Sequence, residues 1–194
     1  MNSRTCRIVI GSDHGGYDMK AELIRFLRGQ RHEVMDVGCF SRESYDFPVS
    51  ARDVAHAVSV RAADRGILID GAGSPSAMVA NKVPGVRASV VHDEFTAKIS
   101  REHSDANVIS FGAKVITSDQ AKTLVELWLR TDFLGGKYQK RIDMIADVER
   151  KSSSIPVRKR LVTSQTLAAS NDPAIADNAI LTPLAQDQLR ARSR

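Results

Sequence analysis

The chain has 194 residues, 42% of them hydrophobic and 26% charged, with a formal net charge of +5, a balance ordinary for one well-cored globular domain. No apolar run approaches the roughly 20 residues of a membrane-crossing helix, and the chain enters a strand-like run almost at once with no signal-peptide core, so a membrane is not expected and the cytoplasm is. Nor does the charge argue for nucleic acid: residues 152–194 set six bases (Arg158, Lys159, Arg160, Arg190, Arg192, Arg194) against three acids (Asp172, Asp177, Asp187), so most of the excess lies in the tail, and no basic face with interleaved aromatics remains in the body.

In chain order, "CRIVIGSDHGG" is an apolar run closed by a Gly/Ser/Asp turn. "YDMKAELIRFLRGQ" carries Met19, Leu23, Phe26 and Leu27 at helical spacing and stops at Gly29. "HEVMDVG" is a second strand. "SARDVAHAVSVRAADRG" is a helix burying Val54, Ala57 and Val58, with Gly66 as its stop. "GILID", "VRASVV" and "NVISFG" are the third, fourth and fifth strands, and the helix "DEFTAKISREHSD" separates the last two. "SDQAKTLVELWLRTDF" and "GKYQKRIDMIADVERK" are two further helices.

Strands alternating with helices predict an α/β fold in three layers, a doubly wound sheet of five parallel strands in the flavodoxin-like order 2-1-3-4-5. Residues 1–151 form this domain, and residues 152–194 a C-terminal extension. The extension has three prolines, Ser and Asn clusters and no sustained periodicity, which reads as disordered or partner-docking. Two stretches in it, 161–169 and 184–192, suit short helices, and Leu181, Leu184 and Leu189 could address a docking partner.

In such a sheet the ligand crevice lies at the carboxyl ends of strands one and three. Those ends carry Ser12-Asp13-His14-Gly15-Gly16 and Asp70-Gly71-Ala72-Gly73-Ser74. A dinucleotide fingerprint would need a further glycine near Ser76, and none is there. The glycines instead allow a close backbone approach and turn N–H groups toward an anion such as an enediolate oxygen or a phosphate. Asp70 has two readings. It caps the following turn through its own side chain, or it is a general base beside an oxyanion-stabilising amide ring. Cys6 and Cys39 have neither disulfide nor metal-ligand spacing. His14 and His103 fall on loops at the active edge, flanked by Asp13 and Asp105, whereas His32, His56 and His92 read as surface or packing residues.

Four segments together, "GSDHGGYDMKAELIRFL", "YDFPVSARDVAHAV", "GILIDGAG…MVANKVPGVRASVVHDEFTAKISREHSDANVISFGAKVI" and "GGKYQKRIDMI", resemble the ribose-5-phosphate isomerase B / galactose-6-phosphate isomerase family. The similarity runs in consistent order over residues 6–150. The resemblance implies a cytoplasmic, cofactor-free aldose–ketose isomerase without a metal, acting on a phosphorylated sugar through a cis-enediolate. Ribose 5-phosphate, or a related tetrose, hexose or deoxy-sugar phosphate, is the implied substrate. It also implies a homodimer or tetramer with sites at the subunit interface.

Residue by residue, the resemblance puts Asp13 and His14 on the sugar hydroxyls and phosphate, and makes His103 the ring-opening histidine. Lys114, Lys137 and Arg141 fall on phosphate-binding positions. Asp70 would move the proton, aided by residues 71–74 (Gly71, Ala72, Gly73, Ser74) and by Ser104. This chain departs from the family pattern at several of these points. Asp70 stands where ribose-type enzymes carry a cysteine base, and Ser76 where a second group carries a glutamate. Ala72 replaces a threonine, Pro75 a glycine and Ser104 an asparagine. An aspartate at the base position also resembles one subunit type of hetero-oligomeric galactose-6-phosphate isomerase. The alternative expectation is therefore a non-catalytic sugar-phosphate-binding subunit partnered with an active paralogue.

Overall fold

A computed structural model describes residues 5–152, 161–162, 164–169 and 180–192. The chain divides into two compact units, Met1–Ala146 and Asp147–Arg194. In the first, β1 (Arg7–Ser12), β2 (Glu33–Asp36), β3 (Arg65–Asp70), β4 (Ala88–Val90) and β5 (Val108–Gly112) build one sheet, every pair of neighbours parallel. The intervening helices are α1 (Tyr17–Gly29), α2 (Phe47–Ser59), α3 (Ser74–Ala80) and α4 (Glu94–Glu102). They are followed by α5 (Ser118–Arg130) and α6 (Lys137–Ser152).

The expected α/β class holds, but the strand order is β2-β1-β3-β5-β4 rather than 2-1-3-4-5. Burial explains the exchange. All five residues of β5 are buried, whereas the three residues of β4 are only half-buried. A parallel strand covered on both faces belongs in the interior, and a short half-covered one at the edge. The chain leaves β3, skips one position to lay down β4, and returns to fill the gap. Right-handed crossovers then send α3 and α4 to opposite faces. Ile8, Ile10, Ile67, Ile69, Ile109 and Phe111 accordingly pack against α1, α4 and α5. Val9, Leu68 and Val108 meet residues of α2 and Ala80 of α3 on the other face.

The helix boundaries follow local chemistry. α2 starts earlier than the periodicity predicts, at Phe47, with Pro48 in its first turn and Asp46 at the N-cap. It ends at Ser59, not Gly66, because Arg61 adopts a left-handed φ of 60° and Gly66 already belongs to β3. Asp93 with Thr96 and Thr117 with Gln120 form reciprocal capping boxes that open α4 and α5.

The second unit holds β6 (Leu161–Val162), α7 (Ser164–Ala169), β7 (Ile180–Leu181) and α8 (Pro183–Arg192). β6 and β7 pair in parallel, and Val162, Leu167 and Ala185 form a small core with Leu181 and Leu189 packed against it. The two expected helices are present in shortened or shifted form, the first preceded by a strand. The expectation of disorder or docking falls partly on 153–160 and 170–179, which lie outside the described residues.

Candidate active site

Three clusters gather the residues singled out in the sequence. The first is built on Asp70, the last residue of β3, of which only 2% is exposed. Burying a carboxylate is costly unless its oxygens are hydrogen-bonded, and the chain supplies the donors from the loop that follows. The Ala72 and Gly73 amides donate to Oδ1 at 2.8 and 2.6 Å, and the Ser76 amide donates to Oδ2 at 2.8 Å. The anion held by this nest is thus the protein's own. Two acceptor sites on Oδ1 are filled, and one on Oδ2 is left over. The amides of Ala72 and Gly73 do not face an incoming oxyanion, whereas the Ser74 amide does not donate to Asp70.

The loop itself is locked from β5. Gly73 has a φ of +84°, and a Cβ there would come within 3.0 Å of the Gly112 nitrogen and the Phe111 carbonyl carbon. Only glycine fits both demands. The Ser110 hydroxyl donates to the Gly73 carbonyl at 2.6 Å, and the Ala113 and Lys114 amides donate to the Asp70 and Gly71 carbonyls at 2.8 and 3.1 Å. The exposed Lys114 lies with its Cδ 3.8 Å from where a Gly71 Cβ would stand. Lys114 and the Asp70 loop therefore share one corner of the sheet.

The second cluster caps β1. Asp13 accepts the Gly16 amide through Oδ1 at 3.0 Å, and its own amide donates to the Ile69 carbonyl at 3.1 Å. A Cβ on Gly16 would come within 2.7 Å of that same Ile69 carbonyl oxygen, so glycine is what lets the turn sit on β3. His14 is exposed, with Nδ1 3.3 Å from both the amide and the carbonyl of Tyr45. When the Tyr45 amide donates to Nδ1, Nε2 carries the proton and offers it to a ligand.

The third cluster surrounds His103, at the end of α4. Its ring stacks on Tyr138, with centroids 4.0 Å apart and planes 15° from parallel. Lys137 Nζ and Arg141 Cζ lie 5.1 and 5.3 Å from the Tyr138 ring centroid. Ser104 is half-buried beside His103, and its carbonyl accepts from Arg87 Nε at 3.1 Å. Between the described residues, no hydrogen bond or ion pair links this cluster to Asp70 or Asp13. Tyr45 and Tyr138 join the site although neither has a role in the sequence reading; both lie in segments that carry the family resemblance, but no spacing singles them out. Among the described residues, no three His, Cys, Asp or Glu side chains converge as a metal-ligand set would.

The model of a family described as ribose/galactose isomerase matches residues 8–145. The chain belongs to the ribose/galactose isomerase family. The match takes in every residue of the three clusters. Ribose-5-phosphate isomerase B of Escherichia coli is 39% identical over 145 residues, covering 75% of this chain and 97% of its own length. Galactose-6-phosphate isomerase subunit LacA of Streptococcus mutans is 38% identical over 138 residues, covering 71% of this chain and 96% of its own. Among solved structures, ribose-5-phosphate isomerase B of Clostridium thermocellum superposes with a TM-score of 0.74 at 43% identity, over 75% of this chain and 99% of the other. In this isomerase-family chain the fold carries Asp70 to the β1/β3 switch point. No helix among the described residues is long and apolar enough to cross a membrane.

Proposed function

We propose that the chain interconverts the aldose and ketose forms of a phosphorylated sugar through a cis-enediolate, without a cofactor. Asp70 Oδ2, the carboxylate oxygen with an open acceptor site, takes the C2 proton of the aldose. The C–H electrons form the C1=C2 bond, and the carbonyl π electrons pass to O1. Return of the proton to C1, with transfer of the O2 proton to O1, gives the ketose. The amides of Gly71 and Ser74, neither of which donates to the Asp70 carboxylate, stabilise the enediolate charge. His103, with Asp13, opens the sugar ring, and Ser104 assists the proton transfer. His14, Lys114, Lys137 and Arg141 hold the phosphate. Two of these cations are lysines, which keep the charge without a guanidinium's paired donors.

The observation that carries this reading is a buried carboxylate pinned by three amides at the switch point, with a single acceptor site left over. His103 and Asp70 meet on one sugar in a site completed by a second copy, as the family resemblance implies. The exposure of Met144 and Ile145 on α6, 59% and 44%, supports the same arrangement by leaving an apolar face for that copy. Relatives named for ribose 5-phosphate and galactose 6-phosphate bracket the substrate class.

The test is C2-proton exchange in D₂O, followed by NMR across tetrose, pentose and hexose phosphates. We expect exchange on one sugar phosphate, reduced roughly 10²- to 10⁴-fold in Asp70→Asn. The second reading, a sugar-phosphate-binding subunit that needs an active paralogue, is favoured by the same self-occupied nest. It predicts sugar-phosphate binding with no exchange on any sugar.

A further inference from the structure

Directly after His103 the chain makes a tight turn. Asp105 adopts a left-handed φ of 43°, its amide donates to the Arg101 carbonyl at 3.1 Å, and the Ala106 amide donates to the Ser100 carbonyl at 2.9 Å. Aspartate tolerates this conformation better than most residues, but the turn is not held by backbone preference alone. Two arginines grip it from either side. Arg101, only 4% exposed, donates through Nη1 to Asp105 Oδ1 and to the Ala106 carbonyl, both at 2.7 Å. Arg87 donates through Nη2 to Asp105 Oδ2 at 2.8 Å and to the Asp105 carbonyl at 2.7 Å, and through Nε to the Ser104 carbonyl at 3.1 Å.

Arg101 also reaches the chain that leads to Tyr138. Its Nε donates to the Thr131 carbonyl at 3.3 Å, and the Leu134 amide donates to the Glu102 carbonyl at 3.1 Å. The Trp128 ring is the floor, with Arg101 and Arg65 at 5.8 and 5.7 Å from its centroid. A guanidinium buried this deeply must be paired, and a planar fork is needed to serve the Asp105 carboxylate and two carbonyls at once. Every one of these partners lies on one of the two segments that bring His103 and Tyr138 face to face.

We propose that Arg101, Asp105 and Arg87 are positioning residues: a carboxylate shared by two guanidiniums that fixes the His103 imidazole against Tyr138 in the orientation its reaction requires. The proposal rests on the reading of His103 as the ring-opening group. The clamp touches no substrate and acts only through His103.

The test uses Asp105→Asn, which retains a residue tolerant of left-handed backbone and removes the charge, and Arg87→Lys, which keeps the charge and removes the fork. Stacking at 4.0 Å displaces the His103 ring-proton resonances upfield, and Tyr138→Leu gives the unstacked reference. In both clamp variants the resonances are expected to move at least halfway to that reference. On whichever sugar phosphate the wild type turns over, kcat should fall by about 10- to 100-fold, the scale of a misplaced catalytic group, while KM stays within about 2-fold. In a His103→Ala background, Asp105→Asn should cost nothing more. An undisturbed His103 resonance overturns the proposal, as does an equal loss of kcat in the His103→Ala background. A wild type that exchanges no sugar proton overturns the isomerase reading instead, and the NMR comparison still decides the clamp.

Discussion

Replacing Asp70 by asparagine is a near-isosteric change with two separable consequences. The amide oxygen can still accept from Ala72 and Gly73, but the new NH₂ group meets the Ser76 amide where Oδ2 now accepts at 2.8 Å. Two donors then oppose each other in a place that is 2% exposed. A buried donor left without an acceptor costs about 1–3 kcal/mol, and losing the charge on the remaining bonds adds to that. A total of roughly 2–3 kcal/mol lowers the melting temperature by roughly 4–12 °C for a chain of this size. The chain's one tryptophan, Trp128, is fully buried in the first unit, so its fluorescence reports melting of that unit. Asp70→Asn should therefore melt early and also lose C2-proton exchange. A variant that melts within about 1 °C of wild type refutes the account of the nest, whatever its activity; the size of the expected shift is set by the unfolding entropy.

The remaining predictions probe the frame around the site. Lys20 is 1% exposed and is paired with Asp36 at 2.5 Å. Asp36→Ala should cost roughly 3–5 kcal/mol in urea unfolding and Lys20→Met far less, since a lone buried charge is worse than none; equal costs would count against this. Gly73→Ala forces a side chain into a φ of +84° and within 3.0 Å of two backbone atoms of β5. It should destabilise by about 1–2 kcal/mol from backbone strain alone and abolish exchange, and a fully active Gly73→Ala enzyme would contradict the locked loop. Burial holds the His32 imidazole below its ordinary range, and its Nδ1 accepts the Cys6 amide at 3.2 Å. The unfolded chain then binds the proton first, so stability should fall as pH drops below about 6.5. Denaturant titrations between pH 7 and pH 5 should show that slope flattened in His32→Gln.

What the sequence reveals, and what it hides, divides along physical lines. Strands and helices with sustained apolar periodicity are legible because burial imposes it. The Asp70 and Asp13 loops are legible because turn chemistry is local. The exchange of β4 and β5 is not carried by periodicity: both are short apolar runs between helices, and only the number of covered faces tells centre from edge. The occupant of the amide nest is also hidden. Capping and catalysis place the same residue at the same point, and geometry alone assigns the three amides to Asp70. Tyr45 and Tyr138 escape notice because their roles depend on how His14 and His103 are presented by distant elements. The double pairing of Asp105 is half hidden for the same reason: Arg101 stands only four residues before it at the end of α4, but Arg87 comes from a separate segment eighteen residues upstream.

The late arrival of β5 between β3 and β4 has a consequence during synthesis. Until residues 108–114 leave the ribosome, the groups that close on residues 70–73, the Ser110 hydroxyl and the Ala113 and Lys114 amides, do not yet exist in the growing chain. At about 5–20 residues per second, a few seconds separate the emergence of Asp70 from that of its locking strand. During that interval one side of β3 stands open beside a β4 that must remain one strand-width away. A nascent chain stalled in this window carries Asp70 but not the groups of β5 that close on its loop. Acquisition of the closed Asp70 loop is thus a marker that the whole sheet, and not merely its first half, has formed.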